Sequence, residues 1–411
     1  MAYLQMASNR HLSEPEGLQD KVAEELSDVY KEEGATGLLT RVRENLNEWR
    51  NIPLNIAVTG DSGAGKSSYI NALLGINLKG TGAAKVDVVE TTKDNTPYQH
   101  PEHPNLILWD LPGIGTANFP QKTYVEKVNF KKFDFFLILS SDRFTENDMW
   151  LAEQVKLLDK SFYFIRTKID ADIRNDKRAH PRTHSADKVV AKIRQHTLQQ
   201  LRHIFHNPLV FLINNFKKDE FDFQALAERL IEDAPNIKKE ALVLSLTLLT
   251  GSIIREKEKY LNKRIYVVSV ASAIAGAVPV PGVGSAVDIA ILLEEAVFYR
   301  RQLRLDDASL QIDANSLKTP LDELKTKLQL KSTVIQFTAK GLLAFFAGLG
   351  ISNVAENALK IAIPIIGSLL SAGLSYGTQV YCLKSLLKVM VKDARSKHRQ
   401  ISVMMAENIS K

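Results

Sequence analysis

Between Leu54 and Leu74 the chain reads Leu-Asn-Ile-Ala-Val-Thr-Gly-Asp-Ser-Gly-Ala-Gly-Lys-Ser-Ser-Tyr-Ile-Asn-Ala-Leu-Leu. An apolar run passes into a glycine loop and then into helix-forming residues. Gly60, Gly65, Lys66 and Ser67 fit the spacing G-x-x-x-x-G-K-[ST]. The chemistry served by that spacing is the holding of phosphate oxygens. Glycines let the backbone wrap tightly, so the N–H groups of Asp61, Ser62, Gly63, Ala64 and Gly65 can turn inward as a concave nest. The helix opening at Lys66, Ser67 and Ser68 adds partial positive charge at its N-terminus. Lys66 can reach β/γ-phosphates, and the Ser67 hydroxyl can sit on Mg²⁺. The plainer alternative is a glycine-rich strand-to-helix turn; the patterns on either side argue against it.

Later segments carry matching chemistry. Trp109-Asp-Leu-Pro-Gly113 closes an apolar run, and Asp110 and Gly113 form a D-x-x-G pair. Alone that pair is common by chance. At a strand end behind a phosphate loop, the aspartate holds the Mg²⁺ shell and the glycine N–H contacts a γ-phosphate. Phe162-Tyr-Phe-Ile-Arg-Thr-Lys-Ile-Asp170 supplies T-K-x-D at Thr167, Lys168 and Asp170. A carboxylate there accepts both the ring N1–H and the exocyclic amine of guanine. Adenine lacks that donor pair and leaves the acid unpaired, so it is rejected strongly. The Lys168 stem packs on the base plane. Asn214 or Asn215, after the apolar run Phe211-Leu-Ile213, could bond the base carbonyl.

The segment Lys85–Lys93 lies between the loop and Asp110 and holds Thr91 and Thr92, of which Thr92 is preferred on Mg²⁺. It also holds Glu90. The residue after Gly113 is Ile114, not the glutamine that often orients an attacking water. Either turnover is slow, or Glu90 or a group supplied in trans takes that part. Glu90 as a merely solvated residue is equally open.

These residues need positioning. From about Ile52 to Pro235, apolar strand candidates at 54–59, 105–109, 134–140, 161–166 and 208–213 alternate with helical stretches such as 66–74, 146–160, 185–205 and 222–232. The predicted fold class is α/β: a Ras-like phosphate-loop domain, its mostly parallel sheet covered by helices on both faces. Ligands of such sheets bind at the carboxyl ends of the strands, where every motif above falls. Ahead of it, Ser13 and Glu16 form a capping box with Pro15 in the first turn. Leu18, Val22, Leu26 and Val29 recur at helical spacing until Gly34, and Leu38, Val42, Leu46 and Trp49 mark a second helix. Residues beyond 240 read as helices throughout. The expected division is 1–51 as an N-terminal helical segment, 52–236 as the nucleotide domain and 237–411 as a C-terminal helical domain. The outer two segments together build an all-α domain.

Bulk properties constrain the rest. Net charge is +6, from 53 basic and 47 acidic residues, which permits anionic partners but does not demand nucleic acid; none is expected. Cys382 is the single cysteine, so no internal disulfide forms, as suits a reducing, cytoplasmic compartment. No secretory signal opens the sequence, and Ala2 departs from the myristoylation pattern. Residues 265–287 and 361–383 lack charge and raise the question of membrane spanning. Pro279 and Pro281 interrupt the first and Pro364, Gly367, Gly373 and Gly377 the second, which favours buried helical core. In the last helix, Leu383, Leu386, Leu387, Met390 and Val391 oppose Lys384, Lys388, Lys392 and Arg395. Two readings compete there: a helix for anionic lipid, and a terminal helix docked on the core with a solvated basic face.

The chain resembles the interferon-inducible immunity-related GTPases. The residues that carry the resemblance are Gly60–Ser68, Gly82-Ala-Ala-Lys85, Val88-Val-Glu90, Trp109–Gly115, Asn118-Phe-Pro120, Phe133-Asp-Phe-Phe136, Phe162-Tyr-Phe164 and Arg166–Asp170. The resemblance implies a dynamin-like GTPase of cell-autonomous immunity that binds GTP and GDP with Mg²⁺. It implies GTP-dependent self-assembly through the nucleotide face, association with related GTPases of the family, and peripheral loading onto endomembranes or pathogen-containing vacuoles. Lys66 places the chain with effector-type members, and the family implicates a switch glutamate, here Glu90, in hydrolysis. Lys66, Glu90 and Gly113 are thus the expected catalytic set, and Ser67, Thr92 and Asp110 the metal set. Asn214 stands where many GTPases have serine. The competing functional readings are a monomeric switch that recruits a protein partner and an integral membrane GTPase.

Overall fold

The computed structural model describes residues 16–76, 83–84, 94–114, 118–218, 220–276, 283–338, 340–342, 344–346 and 376–410. The chain divides into two compact units, Met1–Glu48 with Leu249–Lys411, and Trp49–Leu248. In the first, α1 (Glu16–Asn47) is two helical stretches broken at Gly34, whose φ of 69° and ψ of −159° are not helical. The glycine thus ends the first helical stretch, as expected, and the chain doubles back so that Arg41 of the second stretch lies 3.6 Å from Glu25 of the first. Leu26 of the first stretch and Leu38, Val42 and Leu46 of the second are buried.

The second unit is built on a six-stranded sheet. Its strands are β1 (Leu54–Gly60), β2 (Thr96–Gln99), β3 (Leu106–Asp110), β4 (Phe135–Ser140), β5 (Ser161–Arg166) and β6 (Val210–Leu212). Their order is β2-β3-β1-β4-β5-β6. All pairs are parallel except β2 with β3. β1 pairs with β3 on one side and β4 on the other, so the chain leaves it in opposite directions. That is the topological switch point, where crevices open outside the strand ends. Every residue of β1 and β4 is buried, as expected of parallel strands covered on both faces. The edge strand β2 was not anticipated. Its Thr-Pro-Tyr-Gln lacks an apolar run, and a proline is tolerated only on such an edge.

The helices of this unit are α2 (Lys66–Leu74), α3 (Gln121–Val128), α4 (Glu146–Leu157), α5 (Ile169–Ala179), α6 (Ala186–Arg202), α7 (Phe223–Asp233) and α8 (Asn236–Ser245). α3 and α5 are short and mostly polar, and no apolar period announced them. Beneath them lies a core rich in aromatic side chains, including Tyr124, Phe130, Phe133, Phe136, Phe144 and Phe164.

In the helical unit, α9 (Gly251–Gly276) packs against α1, α10 (Val283–Gln302) and α13 (Tyr376–Ser410); α11 (Asp307–Leu317) and α12 (Leu321–Leu328) lie between α10 and α13 in sequence. Leu383, Leu386, Leu387, Met390 and Val391 are all buried, while Lys388, Lys392 and Arg395 are exposed. The apolar face of α13 is therefore spent on packing within its own unit. Arg264 and Glu295 form a buried pair with nitrogen–oxygen distances of 2.5 and 3.1 Å, and Arg264 also donates to the Leu46 carbonyl. Of the uncharged run 361–383, all but the last eight residues lie outside the described residues. Among the described residues, no helix is long and apolar enough to cross a membrane.

Candidate nucleotide site

β1 ends at Gly60, where φ is +134° and a Cβ would sit 1.9 Å from the Leu139 carbonyl oxygen. Only glycine lets β4 approach this closely. The loop turns through Gly63 and Gly65 at φ of +77° and +88°. Gly65 is the N-cap of α2, and no side chain caps it. The first-turn N–H groups therefore keep their capacity for an anionic acceptor. Lys66 folds back over the loop, and its Nζ donates to the carbonyls of Gly60 (2.8 Å) and Asp61 (3.0 Å). Asp61, Ser62 and Gly63 are exposed, Ala64 is buried, and Ser67 and Ser68 are half-buried.

Two distant segments are bonded to this loop. The Thr167 hydroxyl, fully buried, donates to the Ala64 carbonyl at 2.7 Å. Asn215 Nδ2 donates to the Gly65 carbonyl at 3.1 Å. The T-K-x-D segment and the loop after β6 are thereby seated on successive carbonyls of the phosphate loop. Lys168 takes a left-handed backbone (φ 58°) and turns the chain into α5, with Asp170 in its first turn. Asp170 pairs with Arg174 at 2.5 Å. Asn214 Oδ1 accepts from the Phe216 N–H at 2.9 Å, so its side chain shapes the turn.

Several contributors escaped sequence reasoning. Arg166, 6% exposed, pairs with Asp172 at 2.8 Å and donates to the Thr167 carbonyl, bracing the start of α5. Burial holds the Arg166 guanidinium below its ordinary value and raises the Asp172 carboxyl. Asp148 closes a capping box with Thr145 at the start of α4. Burial pushes its carboxyl up to about 6, opposed by bonds from Thr145; the charge of Asp61 raises it further and that of Lys66 lowers it. The T-x-x-D spacing at 145–148 was the available signal.

The interferon-inducible GTPase (IIGP) family matches residues 19–398. The chain belongs to that family. Interferon-inducible GTPase 1 of Mus musculus is 40% identical over 271 residues, covering 66% of this chain and 66% of that relative. Interferon-gamma-inducible GTPase 10 of Mus musculus is 32% identical over 359 residues, covering 87% and 84%. Interferon-inducible GTPase 5 of Rattus norvegicus is 33% identical over 363 residues, covering 87% and 77%. Among solved structures, a bacterial selenocysteine-specific elongation factor matches with a TM-score of 0.32 and 15% identity, covering 46% of this chain and 30% of that one.

For an interferon-inducible GTPase the remaining question is how the loop after β3 is set. Asp110 ends β3 opposite Val58 and is 2% exposed. The next residue is held to β1 by the Leu111 N–H bond to the Val58 carbonyl at 2.9 Å. Ile114 packs against the aromatic core, so no polar side chain follows Gly113. Glu90 and Thr92 lie outside the described residues.

Proposed function

We propose that this chain binds GTP and GDP at the carboxyl edge of its sheet and hydrolyses GTP. The observation that carries the reading is the seating of Thr167 and Asn215 on the Ala64 and Gly65 carbonyls. It brings the phosphate loop, the T-K-x-D segment and the loop after β6 into one place. The first-turn N–H groups of α2 and the Lys66 ammonium meet the phosphates; Lys66 exchanges its carbonyl partners for phosphate oxygens, which are stronger acceptors. Asp170 accepts from guanine, with the Lys168 stem against the ring.

The donor set fits Mg²⁺: Asp110 and Ser67 offer oxygens only, and among the described residues there is no cluster of three or more His, Cys, Asp or Glu to build an all-protein cage. A hard cation that keeps its waters and takes phosphate oxygens suits such a site. Bound there, Mg²⁺ would neutralise charge developing on the phosphates. Ser67 and Asp110 would hold it, with Thr92. Gly113 contributes its N–H to the γ-phosphate, and Glu90 is the candidate for orienting water.

We further propose that nucleotide occupancy drives self-assembly, including with related family members, and that the assembled protein acts peripherally on intracellular or pathogen-containing vacuole membranes in innate defence. Support comes from family membership; Ile114 after Gly113 leaves the water-orienting role to Glu90 or to a group supplied in trans. GTP turnover per molecule, measured across a hundred-fold range of protein concentration with light scattering alongside, tests this. Rising specific activity is expected; a flat profile without scattering refutes assembly.

A further inference from the structure

Tyr124, in α3, has no exposed surface. Phe119 and Phe130 hold its ring edge-on, with centroids 6.2 and 5.9 Å away. Its phenol donates to the Pro112 carbonyl at 2.8 Å, with the Thr59 side chain beside the same hydroxyl. Thr59 immediately precedes Gly60, and Pro112 immediately precedes Gly113. One buried hydroxyl thus ties α3 to the D-x-x-G segment, next to the last residue before the phosphate loop. Burial raises the ionisation of this phenol far above the physiological range, so it remains a donor.

The Pro112 carbonyl and the Gly113 N–H belong to a single peptide plane. No peptide among the described residues is cis, and in a trans peptide the C=O and N–H point to opposite sides. Turning the carbonyl toward Tyr124 therefore turns the Gly113 N–H away from α3. The proline ring fixes its own φ, and glycine tolerates almost any φ. Rotation of this one peptide is then the soft motion of the segment, and the Tyr124 bond restrains it. We infer that Tyr124 is a positioning residue: its hydroxyl sets the Pro112–Gly113 plane so that the Gly113 N–H meets the γ-phosphate, a group GTP has and GDP lacks. The inference rests on the GTP reading above and adds to it a residue that discriminates between the two nucleotides.

Tyr124→Phe keeps the ring and its packing and removes only the hydroxyl. Calorimetric titration of the full chain with GDP and with GTPγS, together with steady-state GTP turnover, tests it. GDP affinity is expected to stay within about two-fold of the wild type, while GTPγS affinity falls roughly ten-fold and kcat falls with it. Thr59→Val, which alters the polar group beside the same hydroxyl, shifts the GTPγS-to-GDP ratio in the same direction by less. A thermal melt reports whether Tyr124→Phe is folded; if it is not, the Thr59→Val ratio decides. An unchanged ratio in the folded variants overturns the inference. Equal losses for both nucleotides also overturn it, since they assign Tyr124 to packing alone. Failure of the wild-type protein to bind GTPγS overturns the nucleotide reading itself, and this inference with it.

Discussion

Thr167→Val tests the joint between the T-K-x-D segment and the phosphate loop. Valine has nearly the shape of threonine, with a methyl where the hydroxyl stood. The Thr167 side chain has no exposed surface, and Ala64, whose carbonyl accepts its bond, is 1% exposed. Water therefore cannot replace the lost donor. A buried acceptor left unpaired costs about 1–3 kcal/mol, and the weaker 3.4 Å approach of the same hydroxyl to the Ser140 carbonyl adds little. The cost falls on the bond that seats this segment, with Asp170 three residues on, against the loop. Urea unfolding should show a lower midpoint with unchanged slope, amounting to about 1–2 kcal/mol. GDP affinity should fall roughly 5–30-fold, the equivalent of that energy. Asn215→Ala should act in the same direction, and the double variant should deviate from additivity because both bonds hold one loop. Wild-type GDP affinity in a Thr167→Val protein of lowered stability would show that the joint is structural only. No change in either quantity would refute the bonding scheme.

Gly60→Ala is expected to yield little folded protein, because its Cβ would lie 1.9 Å from the Leu139 carbonyl oxygen at a φ of +134°; soluble expression and a melting curve check this. Asp170→Asn should move preference from guanosine toward xanthosine nucleotides, since two acceptors become one acceptor and one donor; competition binding with GDP and XDP reads it, and retained guanine preference refutes the base assignment. Asp148 carries a folded-state carboxyl raised from 3.8 to about 6, so the folded state holds its proton more tightly than the unfolded chain does. Its contribution is favourable below about pH 4 and is lost as pH rises toward 6 and beyond. The stability of Asp148→Asn relative to the wild type should therefore increase between pH 4 and pH 7, by at most about 3 kcal/mol; parallel pH profiles would refute the assignment.

Local order made much of this protein legible. The phosphate loop, D-x-x-G and T-K-x-D are contiguous patterns whose chemistry depends on spacing along the chain. Long apolar runs bounded by turn residues marked β1, β3, β4 and β5 closely. The same logic missed β2, α3 and α5, which carry no apolar period and are held by neighbours. The last helix showed its two faces in sequence, but periodicity alone could not say whether its apolar face met lipid or protein. Burial of Leu383, Leu386 and Met390 answers that.

What the sequence alone determined was the kind of chemistry: residue types at fixed spacing, each acting through atoms of its own neighbourhood. What tertiary structure decided was which side chains hold those motifs together. Asn215 reaches a carbonyl 150 residues away. Tyr124 donates to the Pro112 carbonyl, and the Thr167 hydroxyl donates to the Ala64 carbonyl. None of these contacts leaves a periodic or spaced trace, because a hydrogen bond between distant segments constrains one donor and one acceptor at the point where folding brings them together.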